Sequence, residues 1–283
     1  MYDLYIENEY KQMLKLSEKI QEYSIMSVAG LDPPTAQIYE VKNSIQDGNM
    51  YNNASLEDRI IVITFAINGP AETNRLELYK YLKIKRVHRI YFKNGSRDVY
   101  IDGYLESFQI SFFEQKEVAQ ATFRCPDPYF KDFITIDGDI SVVQKLFEFP
   151  FEIEKPIPFS EFKIGEGQLL INKGDVETGT LFKMYAVRGT VINPVIYNLD
   201  TGAKMQLETV MQESDEIDIS TIYMKKSIIR TRDNEKTNLI NAITYDSSWL
   251  QLNPGGNTFL VNADVGAINL DVYVDVNVLY QGV

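Results

Sequence analysis

The second half of the chain shows one repeating pattern of apolar and polar positions. From residue 166 to 283, short runs with alternating apolar residues recur at regular spacing, separated by turn sequences such as NKGD (172–175) and PGGN (254–257). No convincing helical pattern interrupts them. Many short strands divided by turns of this kind are typical of an antiparallel sandwich. The sequence therefore predicts a β-sandwich over this region.

The first half of the chain contains both helical and strand patterns, and its clearest helix is predicted over residues 74–85. A capping box is indicated at its start by Asn74 and Glu77. One apolar face of the helix would carry Leu76, Tyr79 and Leu82. The segment KQMLKLSEKI (11–20) fits a helix or a strand equally well, because its apolar positions satisfy both periods.

The run RIIVITFAI (59–67) is almost entirely apolar and β-branched. Such a strand needs burial on both faces, in a core or against another subunit. A basic run follows the helix, and in a chain of net charge −12 we interpret it as a patch that meets an acidic surface of another subunit. The candidate oligomer interface therefore consists of Arg59, Ile61, Ile63, Phe65, Arg86 and Arg89.

Composition narrows the class of protein. A length of 283 residues is typical of two domains, and the richness in Tyr, Phe and β-branched residues favours strands. The net charge of −12 argues against general nucleic-acid binding, because phosphates would be repelled. We also expect no membrane insertion, since no apolar run approaches the roughly 18–20 residues of a spanning helix. The acidic start lacks the features of a signal peptide, so synthesis in the cytoplasm is expected.

The residues available for catalysis are few. The single histidine, His88, lies between two arginines that disfavour its protonated form, and no G-x-S-x-G motif is present. We therefore expect a surface or interface histidine. One cysteine and one histidine cannot supply the four ligands of structural zinc, and the acidic turns do not have the spacing of a helix–loop–helix calcium site. We predict no catalytic, cofactor or metal site, and hence no enzyme.

The only cysteine lies in FRCPDPYFK (123–131). Alternation along the preceding strand places Cys125 inward and Arg124 on the opposite face, which favours an inert thiol. Pro126 and Pro128 hold the backbone extended around Asp127. We interpret the stretch as a stiff joint where the chain leaves the first domain, with Cys125, Pro126, Asp127 and Pro128 as its residues.

Taken in order, several segments resemble the distal tail proteins of long-tailed bacteriophages, the siphovirus-type tail-tip hub family. In the first half these segments are QDGNMY, LEDRIIVITFAI, RLELYKYLKIKRVHRIYF and ATFRCPDPYF. In the second half they are INKGDVETG, TVINPVIYNLDTG and SSWLQLNPGGNTF. The resemblance covers most of the chain, although each motif alone is a turn or hairpin signal of low specificity.

The resemblance implies a mainly β protein with an amino-terminal belt domain containing one helix (1–135) and a carboxy-terminal galectin-like β-sandwich (166–283). A connector rich in proline and phenylalanine (136–165) joins them. The implied function is a structural virion component: a homohexameric ring at the tail tip. It links the tail tube protein to tail-tip and tail-associated proteins and to receptor-binding proteins.

Two other functions stay open at this point. The sandwich could act as a carbohydrate-binding module that recognises host cell-wall glycans, with Trp249, the only tryptophan, stacking on a sugar. A partly buried aromatic residue that anchors a turn is the simpler interpretation of Trp249. A hydrolase is the third alternative, but no residue pattern selects its catalytic base.

Overall fold

The computed structural model describes residues 3–17, 22–42, 47–112, 116–141, 143–145, 160–162 and 167–283. Within these residues the protein is mainly β, with one α-helix and two short 3-10 turns, so the predicted fold class is confirmed. The chain forms two compact units. Unit 1 contains Met1–Phe133 and Leu279–Val283, and unit 2 contains Ile134–Val278.

Unit 1 is built around a closed sheet. Its strands are ordered β7-β1-β2-β3-β6-β9-β8, and β8 pairs again with β7. The elements of this unit, the last of which continues into unit 2, are β1 Asp3–Glu7, β2 Met13–Ser17, β3 Tyr23–Ala29, β4 Ala36–Lys42, β5 Asn49–Leu56, β6 Arg59–Ile67, α1 Ala71–Tyr81, β7 Val87–Lys93, β8 Asp98–Ile110, β9 Val118–Cys125 and β10 Phe130–Asp139. The ambiguous opening segment therefore contains a strand, β2.

Alternating residues of these strands fill the core of unit 1. Inward positions of β6 pack with those of its neighbour β9, to which it is paired from Arg59↔Cys125 to Ala66↔Val118. The inward alternation predicted for β9 is confirmed, because its four inward side chains are fully buried: Ala119, Ala121, Phe123 and Cys125.

The helix differs from its prediction in start and orientation. It begins at Ala71, after Pro70 as the N-cap residue, and it has no side-chain cap. Asn74 is not the cap: it is buried and donates its Nδ2 hydrogen to the Asn68 carbonyl, at 2.7 Å. The buried face follows the i, i+4 spacing of Asn74, Leu78 and Leu82, whereas the predicted Leu76 is half exposed.

Unit 2 contains two larger sheets. One is ordered β21-β20-β19-β15-β24, and the other β13-β23-β16-β17 with β18 beside β16. The strands of this unit are β11 Val143–Lys145, β12 Ser160–Phe162, β13 Gln168–Asn172, β14 Thr178–Gly179, β15 Leu181–Ala186, β16 Val191–Asn198, β17 Lys204–Gln206, β18 Val210–Met211, β19 Glu216–Ser220, β20 Ser227–Arg232, β21 Glu235–Asn238, β22 Gln251–Leu252, β23 Gly255–Val265 and β24 Leu270–Tyr280.

The two sheets of unit 2 share one apolar core. Phe182 of β15 and Phe259 of β23, which belong to different sheets, meet edge to face at 5.8 Å between ring centroids and are fully buried. Ile217, Met205 and Val272 lie in the same buried cluster. This packing of two antiparallel sheets confirms the predicted sandwich.

The predicted connector falls only partly within the described residues. Its first residues continue β10 to Asp139, and Val143–Lys145 pairs with Ser160–Phe162 in a small antiparallel sheet. Most of its proline- and phenylalanine-rich part, residues 146–159, lies outside the described residues. The domain boundaries at 135 and 165 remain a prediction.

Candidate assembly surface

Four of the six residues predicted to form an oligomer interface are buried in the interior of unit 1. Ile61, Ile63 and Phe65 are 0% exposed and Arg59 is 3% exposed. Apolar character alone did not distinguish the two faces of β6. Its outward face carries Ile60, which is 44% exposed. An interface formed by this strand would therefore use the face opposite to the predicted residues.

Arg59 has an intramolecular role that the sequence did not indicate. Its guanidinium donates to the carbonyl oxygens of Pro128 (2.7 Å), Gly30 (2.6 Å), Asp32 (2.5 Å) and Gln281 (2.5 Å). It also lies over a phenylalanine ring, 4.5 Å from the centroid. Burial lowers the pKa of this arginine from its ordinary value. One buried cation thus ties two loops and the returning carboxy terminus to β6.

The other two predicted interface residues are closer to the surface. Arg89 forms a two-bonded ion pair with Asp102, at 2.6 and 3.0 Å, and lies over the Tyr100 ring. The hydrogen bond to Asp102 raises the pKa of Arg89. Arg86 is mostly exposed and contacts Glu9 at 3.6 Å. The interface role of both arginines remains a prediction, although Arg89 already has an acidic partner within the chain.

The stretch predicted to be a joint lies between β9 and β10, within unit 1. Burial raises the pKa of Cys125 to about 12, so its thiol is protonated at neutral pH. Asp127 accepts a hydrogen bond from the Tyr129 amide and pairs with Lys131 at 2.8 Å. Pro128 is one of the acceptors of Arg59. The role of the stretch as an interdomain joint remains a prediction.

His88 is not a surface residue. It is 1% exposed, and its Nδ1 lies 3.0 Å from the Arg86 carbonyl oxygen. Its ring meets that of Phe123 edge to face. Burial lowers the pKa of His88, because an apolar surrounding disfavours the charged form. The expectation was wrong because β7 alternates, and His88 falls on its inward face beside Ile90 and Phe92.

Trp249 fits the simpler of the two interpretations. Its ring is partly buried against the apolar core of unit 2, and Lys226 Nζ lies over it at 5.2 Å from the centroid. A sugar would have to displace this lysine to stack on the covered face. The carbohydrate-binding alternative remains a prediction that this geometry does not favour.

Exposed apolar side chains occur on the hairpin formed by β4 and β5. Every residue of both strands is exposed. Residues opposite each other in an antiparallel pair share a face, and the register places Ile38, Ala54, Glu40 and Tyr51 on one face. The other face carries Tyr39, Val41 and Met50. The apolar pattern of the sequence does not distinguish this hairpin, because its strands are less apolar than β6.

A second surface of unit 1 is an aromatic stripe, which we define as Tyr5, Tyr91, Tyr100 and Phe133. Tyr5 and Tyr91 are cross-strand partners, as are Tyr91 and Tyr100. Phe133 stacks on Tyr91 with ring centroids 5.3 Å apart and an angle of 13°. The three tyrosines are half-buried and Phe133 is 47% exposed. Lys15 lies over the Tyr5 ring and Arg89 over the Tyr100 ring, so cations of the same chain cover part of the stripe.

Across the described ranges, no group of three or more His, Cys, Asp or Glu side chains could hold a metal ion. In the same ranges, no helix is long and apolar enough to cross a membrane. Fold and surface together define a class of protein: a mainly β chain of two units, one closed sheet and one sandwich, whose notable surface features are apolar patches.

Comparisons with known proteins give one family match, which covers part of the chain, and several similar folds. Residues 173–273 match the family described as the siphovirus-type tail component, C-terminal domain. The structure is similar to the crystal structure of the Dit protein of phage SPP1, with 11% identity, a TM-score of 0.68 and 98% of each chain covered. That protein is described as a paradigm of the hub adsorption apparatus in phages infecting Gram-positive hosts.

A further similar structure is the phage P2 baseplate in its activated conformation with Ca, with 10% identity, a TM-score of 0.50 and 98% of each chain covered. A search of curated protein sequences gives no significant match. The family match and the fold together confirm the resemblance to phage distal tail proteins that the sequence indicates.

Proposed function

We propose that this protein is a structural hub subunit of a phage tail tip. Its copies assemble into a closed homohexameric ring within the virion. The ring links the tail tube protein to tail-tip and tail-associated proteins, and unit 2 offers a platform for receptor-binding proteins. The chain acts by assembly and carries no enzymatic activity.

The observation that carries the proposal is the match of residues 173–273 to a tail component family, combined with similarity over 98% of the chain to a hub protein. The exposed hairpin supports the same function. Soluble monomers rarely expose contiguous apolar patches of this kind, and such patches mark interaction sites. A ring subunit covers them with its neighbours.

The test is the mass of the purified protein, alone and with its tail partners, by native mass spectrometry. We expect a closed ring of six chains, and labelled antibodies against the chain should bind at the distal end of purified tails. A protein that stays monomeric at high concentration and with its partners would contradict the ring. Hydrolysis of purified host cell wall by the protein would contradict the absence of enzymatic activity.

A further inference from the structure

The side chain of His88 takes part in the connection between α1 and β7. The Arg86 carbonyl oxygen accepts a hydrogen bond from the Leu105 amide at 3.2 Å, and it lies 3.0 Å from Nδ1 of His88. Because a carbonyl oxygen only accepts hydrogen bonds, Nδ1 carries the hydrogen of the neutral ring. The imidazole therefore donates a hydrogen bond that holds the residue preceding β7 in place.

The backbone of this connection is strained. Lys85 has a φ of 65°, in the left-handed region that favours glycine. A residue of another type stays in that region only where the surrounding contacts hold it. The Lys85 amide donates to the Leu105 carbonyl at 3.0 Å, and the bond from His88 to Arg86 fixes the next residue. The neutral imidazole is thus one of the contacts that keep this turn closed.

The second ring nitrogen of His88 has no such bond. Nε2 is buried, and no group in the described ranges forms a hydrogen bond with it. The ring meets that of Phe123 edge to face with centroids 5.7 Å apart, and the whole residue is 1% exposed. A proton added at Nε2 would place a positive charge in an apolar interior without an acceptor, which is unfavourable.

The loop after β1 and the end of α1 compensate for such a charge only in part. Glu9 favours the protonated form of His88, but its carboxylate is already paired with Arg86 at 3.6 Å. The backbone of Arg86 and of Tyr81, the last residue of α1, acts in the same direction as Glu9. Burial outweighs these effects and lowers the pKa of His88 from its ordinary value of 6.5.

The strands around the ring supply no carboxylate on their inward faces. On β1, alternation turns Glu7 to the outside of the sheet, and the buried positions of β8 and β9 are uncharged. Gly103 lies opposite His88, and a side chain added at Gly103 would collide with Sγ of Cys125. Cys125 is in turn the register partner of the buried cation Arg59. A protonated His88 would therefore be a second cation in the same interior.

We propose that His88 is an acid-sensitive switch in unit 1. The neutral ring keeps the connection between α1 and β7 closed, and uptake of a proton at Nε2 in mildly acidic solution opens it. The chain contains no other histidine, so this residue sets the response between about pH 5 and pH 7. The switch is a property of the single chain and does not depend on the proposed ring.

The direction of the pH dependence follows from the lowered pKa. The folded state binds fewer protons at His88 than the unfolded state does. The contribution of His88 to stability is therefore complete above pH 6.5 and is lost as the pH falls below that value. Between the unfolded and the folded pKa, the ratio of folded to unfolded chain decreases by up to about tenfold for each pH unit.

Titration of the imidazole by NMR tests the first step directly. The full chain gives one set of histidine ring signals, because it has one histidine. We expect these signals to titrate in the folded protein with a pKa below 6.5. A ring that titrates at 6.5 or above in the folded protein would overturn the proposal.

The variant His88→Asn tests the effect on stability. Its side-chain amide can donate to the Arg86 carbonyl in place of Nδ1, but it does not titrate. In urea unfolding at pH 7.5 and pH 5.5, the folded-to-unfolded ratio of the unchanged chain should fall by up to about tenfold more than that of the variant. The matched control Tyr245→Asn, at an exposed position of unit 2, should keep the full pH dependence. The same pH dependence in His88→Asn and the unchanged chain would contradict the switch.

Amide hydrogen exchange of the unchanged chain locates the opening. The Lys85 and Leu105 amides bond across the connection, so their protection factors should fall between pH 7.5 and pH 5.5 more than those of amides in β6. An equal fall in both regions would mean that the sheet opens as a whole, and constant protection would mean that nothing opens. Either result would overturn the local switch, and neither measurement depends on the folding of a variant.

Discussion

Strand β6 and the β4–β5 hairpin show that the apolarity of a strand does not indicate whether the folded chain leaves it exposed. RIIVITFAI is the most apolar strand of unit 1, yet Ile61, Ile63 and Phe65 are fully buried within the chain. The hairpin strands AQIYEVK and NMYNNASL mix apolar and polar residues, and all of their residues are exposed.

The difference has a physical cause. Burial of a continuous apolar run stabilises the folded chain by about 25 cal/mol for each Å² of apolar surface removed from water. The hairpin strands alternate apolar with polar residues, and the folded chain leaves both of their faces exposed. Apolarity along the sequence therefore does not by itself indicate which strands other elements of the chain cover.

The largest expected effect separates the two faces of β6. We expect Phe65→Ala to lower the free energy of unfolding by about 3–5 kcal/mol, because it leaves a cavity in a closed core. Ile60→Ala, on the outward face of the same strand, should cost less than about 1 kcal/mol in the dissociated chain. Urea unfolding monitored by circular dichroism measures both. Equal losses would show that the two faces are buried alike.

The next effect concerns the buried cation at the start of β6. Arg59→Met removes the donor for four backbone carbonyls, and each unsatisfied buried group costs about 1–3 kcal/mol when water does not replace the donor. We expect a loss of about 2–4 kcal/mol in urea unfolding.

Arg59→Lys serves as the matched control for that substitution. Its ammonium keeps the charge but lacks the planar fork, so it should recover part of the loss. If the Arg59→Met variant and the unchanged chain had the same free energy of unfolding, the hydrogen bonds from Arg59 to the carbonyls would contribute nothing to stability.

A much smaller effect is expected in the hairpin. Ile38→Ser with Tyr51→Ser should change the free energy of unfolding of the dissociated chain by no more than about 0.5 kcal/mol, because both side chains are already in water. Measurement at a concentration low enough to dissociate any ring isolates this term. A loss comparable to that of Phe65→Ala would show that the hairpin packs on its own chain.

The last effect is seen at alkaline pH and belongs to Cys125, the register partner of Arg59. Its folded pKa of about 12 lies above the ordinary value of 9.0. The resulting stabilisation is complete below pH 9 and is lost as the pH rises towards 12. Cys125→Ala should therefore flatten the fall in stability across this alkaline range.

Alkylation provides a second measurement on the same thiol. At pH 8 the folded protein should react far more slowly with iodoacetamide than the protein in urea, because the reactive species is the thiolate. Equal rates would mean that the thiol is accessible and ionised in the folded chain.

The sequence predicted more of the fold than of the candidate surfaces. Local periodicity predicted three features: the β-sandwich over residues 166–283, the existence of one helix and the inward alternation of β9. The spacing of apolar residues indicates the type of element and which of its positions avoid water. Periodicity does not indicate which other element covers an apolar face. Leu78 rather than Leu76 faces the core, and His88 is buried, because neighbouring elements decide which stripe is covered.

The sequence by itself determined the β-rich composition, the positions of the turns and an order of segments that resembles phage distal tail proteins. Only the tertiary structure decided that residues 279–283 return to unit 1 and that Arg59 bonds Gln281, 222 positions away. It also decided that the β4–β5 hairpin is left open while β6 is enclosed. Local patterns specify which residues avoid water, whereas contacts between distant segments decide which of those residues the chain itself can cover.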